Sequence, residues 1–272
     1  MIIDGIQLAL DVAVGLKAKI RENNLKLQLA AVLVGENKEF KKFVELKGKA
    51  AKEIGVGFKL YQFPENISTS DLKKEVRKIS EDKQNSGVLV ELPLPAHVDV
   101  RAVLNEVQLE KDIDVLSEKA QSLFYGGKSK ILPPAVEAVK IALEKYCIEP
   151  KGGKVAVFGQ GLLVGKPVAH WFEQKGAQVF RIDEFTKNPE QYSHQADIIV
   201  SGVGKPDLIT GDMVKDGVAV FDFGYENKDG KMVGDVDTGS VVPKTSLVTP
   251  VPGGMGPIVI AAVLKNLVEL NS

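Results

Sequence analysis

The sequence predicts an α/β protein of two parallel-sheet domains, the first a three-layer build, and three observations lead there. Short apolar runs alternate with longer amphipathic stretches along most of the chain, the pattern of strands joined by crossover helices. A glycine-rich segment, Gly159-Gln-Gly-Leu-Leu-Val-Gly165, lies between one such run and the next helical stretch. The length, 272 residues, accommodates two domains.

Residues 6–22 place Leu8, Val12, Leu16 and Ile20 at helical spacing and predict an amphipathic helix. Residues 29–34 form an apolar run closed by Gly35, as in a buried parallel strand. A helix over 38–54 stops at Gly55, suited to a C-cap, and 58–63 alternates like a strand. Ser68-Thr-Ser-Asp71 starts a helix expected to run to about Asn85. Residues 87–92 predict a strand halted by Pro93 and Pro95. The stretch 117–132 has weak periodicity and contains Gly126-Gly127, which predicts loop. Pro133-Pro134 then opens a long helix over 135–146, suited to span between domains.

From Lys154 the alternation restarts: strand 154–158, the glycine loop, a helix to about 175, then strands at 178–182, 198–202 and 218–223. This is a Rossmann-type unit of roughly a hundred residues. A terminal apolar helix over 258–270 is expected to pack back onto the first domain. The expected division is 1–138, completed by 256–272, and 139–255.

Composition narrows the function classes. Hydrophobic residues make up 44% and charged ones 26%, with a net charge of −1, an ordinary globular balance that gives no reason to expect nucleic acid or a membrane surface as partner. The single cysteine, Cys147, leaves no intrachain disulfide and no cysteine-rich metal site, and suits a reducing cytoplasm. The N-terminal Met-Ile-Ile-Asp-Gly lacks the pattern of a signal peptide. No apolar run approaches the roughly 20 residues of a spanning helix. No metal is expected.

Gly159 and Gly161 let the backbone turn sharply beneath a pyrophosphate, with Gln160 between them. Val164 leads into Gly165, which lets the following helix pack tightly. A tight turn without ligand is the alternative. Asp183 and Glu184 end the next strand, where a carboxylate grips the adenosine ribose, unless they are solvated strand-end charges. Val203-Gly204 and Gly224-Tyr225 end two later strands, on the side where a parallel sheet places its ligand, unless they are ordinary strand-end punctuation.

In the first half, Phe40, Phe43 and Lys47 share one helix face, where aromatic residues are usually core and a lysine usually solvated. Glu91-Leu92 ends a strand, and Lys111-Asp-Ile-Asp114 supplies two further carboxylates. If these ends converge, the outcome is one lysine among acids, an acid–base site in outline. Finally, Thr249-Pro-Val-Pro-Gly-Gly-Met-Gly-Pro257 packs three prolines and three glycines into nine residues. Such punctuation excludes helix and central strand and suits main chain brought against a ligand, with a plain surface turn as the alternative.

Taken in order, Val34-Gly35, Lys47, Leu92-Pro-Leu-Pro95, Lys111-Asp-Ile-Asp114, the 159–167 loop, Gly234-Asp-Val236 and Thr249–Pro257 resemble the bifunctional methylenetetrahydrofolate dehydrogenase/methenyltetrahydrofolate cyclohydrolase family. The resemblance runs nearly end to end. It implies an N-terminal folate-side domain, a C-terminal Rossmann domain, a cleft between them and a homodimer. It also implies hydride transfer from 5,10-methylenetetrahydrofolate to NADP, then hydrolysis of the methenyl cation to 10-formyltetrahydrofolate. Lys47 matches the catalytic lysine, and Asp114 the aspartate that binds the amino-pyrimidine edge of the pterin. Pro252, Gly253 and Gly254 would line the folate site, with Phe43, Glu91 and Leu92.

The departures from the family pattern bear on chemistry. Phe43 replaces a tyrosine, Phe40 a serine, Glu91 a glutamine and Val115 a glycine. Pro133-Pro-Ala-Val136 stands for Pro-Cys-Thr-Pro, and Gly256-Pro-Ile-Val259 for Gly-Pro-Met-Thr. A carboxylate within about 4–6 Å favours the ammonium form of a lysine, so Glu91 points to a dehydrogenase with weakened hydrolysis, unless Glu91 is protonated and hydrogen-bonds as glutamine would. The family uses NADP. The loop Gly159-Gln-Gly161 has lost the basic or hydroxyl group expected there, and Asp183-Glu184 add negative charge, which favours NAD. Arg181, Lys166 and Lys187 are the cations left to meet a 2′-phosphate. Two other readings stay open: a catalytically silent nucleotide or pterin binder, and the same fold acting on another pterin carrier.

Overall fold

In the computed structural model, which describes residues 1–228 and 230–272, the chain begins with helix α1 (Gly5–Glu22), strand β1 (Gln28–Val34), helix α2 (Lys38–Glu53), strand β2 (Gly57–Phe63), helix α3 (Thr69–Glu81) and strand β3 (Gly87–Val90). The three strands form a parallel sheet in the order β2-β1-β3. The central strand is buried from Leu29 to Val34, as its unbroken apolar run predicts. Alternate residues face opposite sides. Leu29, Ala31 and Leu33 join one apolar cluster with Leu16, Ile20, Val44 and Ala51. Ala30, Val32 and Val34 join a second with Leu72, Val76 and Ile79.

Two expectations for this half need correction. Helix α3 ends at Glu81 rather than near Asn85, because Asp82 turns extended and the buried Asn85 amide donates back to the Ile79 carbonyl at 2.8 Å. The stretch expected as loop contains helix α5 (Glu118–Tyr125), after a short helix α4 (Val100–Leu104). Ser117 caps α5 by accepting from the Ala120 N–H, and Phe124 anchors it in the interior. Gly126-Gly127 mark its end rather than a loop.

The second half runs helix α6 (Pro134–Lys145), β4 (Lys154–Phe158), α7 (Gly165–Gln174), β5 (Gln178–Ile182), a short α8 (Glu190–Ser193), β6 (Ile198–Ser201), β7 (Val218–Asp222), the hairpin β8 (Glu226–Lys228) and β9 (Lys231–Val233), α9 (Thr238–Val241), β10 (Thr245–Val248) and α10 (Met255–Leu270). Five strands form a parallel sheet in the order β10-β7-β6-β4-β5. The chain leaves β4 towards β5 on one side and returns to β6 on the other, the switch point at which such sheets bind ligands.

The chain divides into two units: Asp11–Pro134 with Ile260–Ser272, and Met1–Leu10 with Ala135–Val259. The break after Pro134 falls four residues before the expected one, and the terminal helix contributes Ile260 onwards to the first unit. The N-terminal residues differ more from expectation, since they belong with the nucleotide-type sheet. Ile2 forms a parallel bridge with Val248, and the Ile3 N–H donates to the Val248 carbonyl at 2.8 Å. A three-residue extension of a sheet edge leaves no periodicity for sequence reading to find.

Candidate active site

Within the first unit, one face of α2 and two loop ends meet. Lys47 lies on α2, and its Nζ donates to Glu91 Oε2 at 2.7 Å. Glu91 follows β3, where its N–H still bonds the Val32 carbonyl in the manner of the sheet. Both side chains are largely buried, at 18% and 10% exposure, so the pair is poorly screened by solvent. Asp114 completes the group. Burial pushes its carboxyl up to about 7; nearby Lys47 opposes the rise, while Asp112 and Glu91 add to it. One lysine among acids is therefore what the fold assembles.

The other carboxylate of the Lys111–Asp114 stretch does different work. Asp112 is buried and accepts N–H bonds from Leu116 and Ser117, closing the loop that carries Asp114. Lys111 donates to the Ser80 and Asp82 carbonyls, at 2.6 and 2.8 Å. Phe43 is half-buried one turn before Lys47. Phe40 packs against the apolar cluster around Val44, and Leu92 against the cluster around Val90 and Leu94.

Val115 follows Asp114 at φ +58°, a left-handed conformation that β-branched residues rarely adopt. Its side chain is almost fully buried. Strain of about 1–3 kcal/mol is thus set against burial worth about 1.5–3 kcal/mol, which accounts for valine being tolerated there.

In the second unit, the ligand-side ends of the strands carry the nucleotide-type residues. Gly159 follows β4 at φ +83°. A Cβ on Gly165 would stand 1.8 Å from the Gly159 carbonyl oxygen, whereas one on Gly161 would meet nothing within 4 Å. The loop is locked at its ends and open at its middle, a cradle that fits a phosphate group. Gln160 turns inward: its amide donates to the Val157 and Gly159 carbonyls. Val164 packs against the Gly202 backbone. After β5, Asp183 accepts from the Phe185 N–H and the Thr186 hydroxyl, while Glu184 and Phe185 are exposed.

Two buried carboxylates, absent from the sequence-based site, organise the remaining loops. Asp235 accepts from the Ser201 hydroxyl at 2.6 Å and from the Val203 and Lys205 N–H groups at 2.8 Å, which holds the turn at Gly204. Asp222 accepts from the N–H groups of Gly224, Asp235 and Val236, and Tyr225 follows directly. Burial pushes Asp222 up to about 6; its backbone donors resist and Asp235 adds to the rise. The Asp222 N–H donates in turn to Thr249 Oγ1 at 2.7 Å, at the start of the proline–glycine segment. There Gly254 is buried, Pro252 is exposed, and the Gly253 carbonyl accepts from the Gly5 N–H at 3.0 Å. Asp235 was visible as part of Gly234-Asp-Val236. Asp222, the last residue of an apolar strand, gave no comparable signal.

Among the described residues, no group of three His, Cys, Asp or Glu is placed to hold a metal ion, and no helix is long and apolar enough to cross a membrane.

Comparison with known proteins bears directly on this arrangement. The family model described as tetrahydrofolate dehydrogenase/cyclohydrolase, catalytic domain, matches residues 3–114, and that described as the NAD(P)-binding domain matches residues 133–272. The chain belongs to the tetrahydrofolate dehydrogenase/cyclohydrolase family. It is 38% identical to the bifunctional protein FolD of Moorella thermoacetica over 98% of this chain and 97% of that protein. The crystal structure of the bifunctional FolD enzyme from Campylobacter jejuni superposes with a TM-score of 0.95 at 34% identity, covering 99% of this chain and 98% of that one. FolD of Trypanosoma brucei, solved with NADP and an inhibitor, gives a TM-score of 0.94 at 29% identity, over 99% and 96% of the two chains.

As a tetrahydrofolate dehydrogenase/cyclohydrolase family member, the chain departs from the pattern at the points noted above. The Lys47–Glu91 ion pair stands where the resemblance places lysine beside a neutral glutamine.

Proposed function

We propose that this chain oxidises 5,10-methylenetetrahydrofolate to 5,10-methenyltetrahydrofolate, with NAD preferred over NADP, and that its hydrolysis of the methenyl cation to 10-formyltetrahydrofolate is slow. The observation that carries the slow hydrolysis is the 2.7 Å Lys47–Glu91 contact. NAD(P), when bound, takes up the hydride that leaves the methylene carbon. Hydride transfer needs the two rings placed together and no protein base. Hydrolysis adds water to the methenyl carbon and releases a proton, and a lysine amine held by Glu91 at 2.7 Å is not free to take it.

Asp114, when ionised, suits the paired N–H donors of the pterin edge. Phe43 offers a ring to stack on the pterin but no hydroxyl, and Pro252, Gly253 and Gly254 are the proposed main-chain contacts to the folate. Gly159, Gln160, Gly161, Val164 and Gly165 are assigned to the pyrophosphate, and Val203, Gly204, Gly224 and Tyr225 to the nicotinamide side. The preference for NAD rests on Asp183 and Glu184, which repel a 2′-phosphate, and on a glycine loop without a basic side chain. The family resemblance supports a homodimer, and the lone cysteine a reducing cytoplasm.

The test is turnover of purified protein with 5,10-methylenetetrahydrofolate and either cofactor, following reduced nicotinamide and methenyl product together. We expect faster reduction of NAD, with methenyl product decaying little faster than in buffer. Absence of turnover with both cofactors would overturn the dehydrogenase, and faster reduction of NADP the cofactor preference.

A further inference from the structure

Arg181 lies on β5, two residues before Asp183, which begins the turn after the strand. It pairs in register with Val157 at the foot of the glycine loop. In this region of a dinucleotide-binding sheet a carboxylate grips the ribose hydroxyls or an arginine accommodates a 2′-phosphate. The chain has both groups there, yet the arginine is engaged elsewhere. Its Nε and Nη2 donate to Glu173 Oε1 and Oε2 at 3.0 and 2.9 Å, a two-point clasp from helix α7. Nη1 points to Gln160 Oε1 at 3.3 Å. Gln160 is itself held by the carbonyls of its own loop. The geometry of a guanidinium fork matches a carboxylate or a phosphate with the same donors, so one partner excludes the other.

We infer that Glu173, which lies outside the glycine loop and the β5 end, sets cofactor selectivity by holding Arg181 away from the 2′-phosphate of NADP. This rests on the proposed preference for NAD and supplies a cause for it beyond the charges of Asp183 and Glu184. Repulsion at the strand end raises the cost of a phosphate; the clasp removes the one cation on β5 placed to offset it. Both side chains are partly exposed, 37% for Arg181 and 43% for Glu173, so the clasp can be removed without opening the core. Glu173 is a specificity-determining residue acting through Arg181, not a contact to the cofactor.

The test compares the full chain with its Glu173→Gln variant by calorimetric titration of NAD and of NADP. The wild type should bind NAD more tightly. In Glu173→Gln the dissociation constant for NADP should fall about tenfold, the scale of one charge-assisted bidentate contact, while that for NAD stays within about twofold. NADP should also shift the side-chain Nε–H resonance of Arg181 in the variant and leave it in place in the wild type. An unmoved NADP constant in a wild type that prefers NAD would overturn this inference alone. A gain in NADP affinity without movement of the Arg181 resonance would overturn it too, since loss of a negative charge would then be the whole effect. A wild type that prefers NADP would overturn the cofactor reading and this inference with it.

Discussion

At Lys47 the decisive quantity is a single 2.7 Å contact. Glutamine in place of Glu91 keeps a hydrogen-bond acceptor for the lysine but removes the carboxylate that engages it. Glu91→Gln should therefore raise methenyltetrahydrofolate hydrolysis by roughly tenfold or more, within the usual reach of a general base. Dehydrogenase turnover should change much less, and following methenyl absorbance in both assays checks the split. Asp114 gives a second prediction, this time in stability. Its carboxyl titrates near 7 in the folded chain against 3.8 for the ordinary group. Between those values the folded form holds a proton that the unfolded form has lost, so stability falls as pH rises from about 4 to about 7 and then levels. Asp114→Asn removes that slope. Its stability relative to wild type should improve by on the order of 2 kcal/mol between pH 5 and pH 8, after discount for screening, as read from urea unfolding at the two pH values.

The element that most constrains the nucleotide side is the turn from β4 into α7. A methyl on Gly165 cannot coexist with the Gly159 carbonyl 1.8 Å away, and backbone on both sides leaves no flexible atom to yield. Gly165→Ala should weaken NAD and NADP alike by about tenfold or more through displacement of the loop. Folate binding should survive; titration with each ligand separately reads the difference. The turn itself was legible in sequence because its glycines stand between an apolar run and a helical stretch. Helix α5 was not: its start signal, Ser117 followed by Glu118, is common, and what makes it helical is the anchoring of Phe124 in the interior. Helix α3 was legible at its start and not at its end. Ser68 is a local cap, whereas the stop depends on Asn85 reaching Ile79, Tyr61 and Gln28.

Across the whole molecule, each unit is completed by a segment distant in sequence. Val263, Leu264, Leu267 and Val268 of α10 belong to the same apolar cluster as Leu29 and Ile113. Asn266 donates to the Ile113 and Leu132 carbonyls at 2.8 Å. A chain ending at Val259 should consequently lose cooperative unfolding of the unit Asp11–Pro134, because four buried aliphatic side chains at about 1.5–3 kcal/mol each are comparable to the whole stability of a typical domain. Hydrogen exchange of β1 amides would report this, and full protection in the truncated chain would refute it.

What the sequence determined by itself is local or periodic: the alternating strands and helices, the glycine loop, the family pattern, and the identities Lys47, Glu91 and Asp114. Those features are set by residue spacing and backbone preference within a few turns of chain. Tertiary structure alone decided that Asp112 closes the loop carrying Asp114, that Glu173 occupies Arg181, and that Asp222 and Asp235 tie three loops together. Each of these joins residues that lie on separate elements or loops. Burial and hydrogen-bond geometry settle such choices, and neither exists until the sheet has formed.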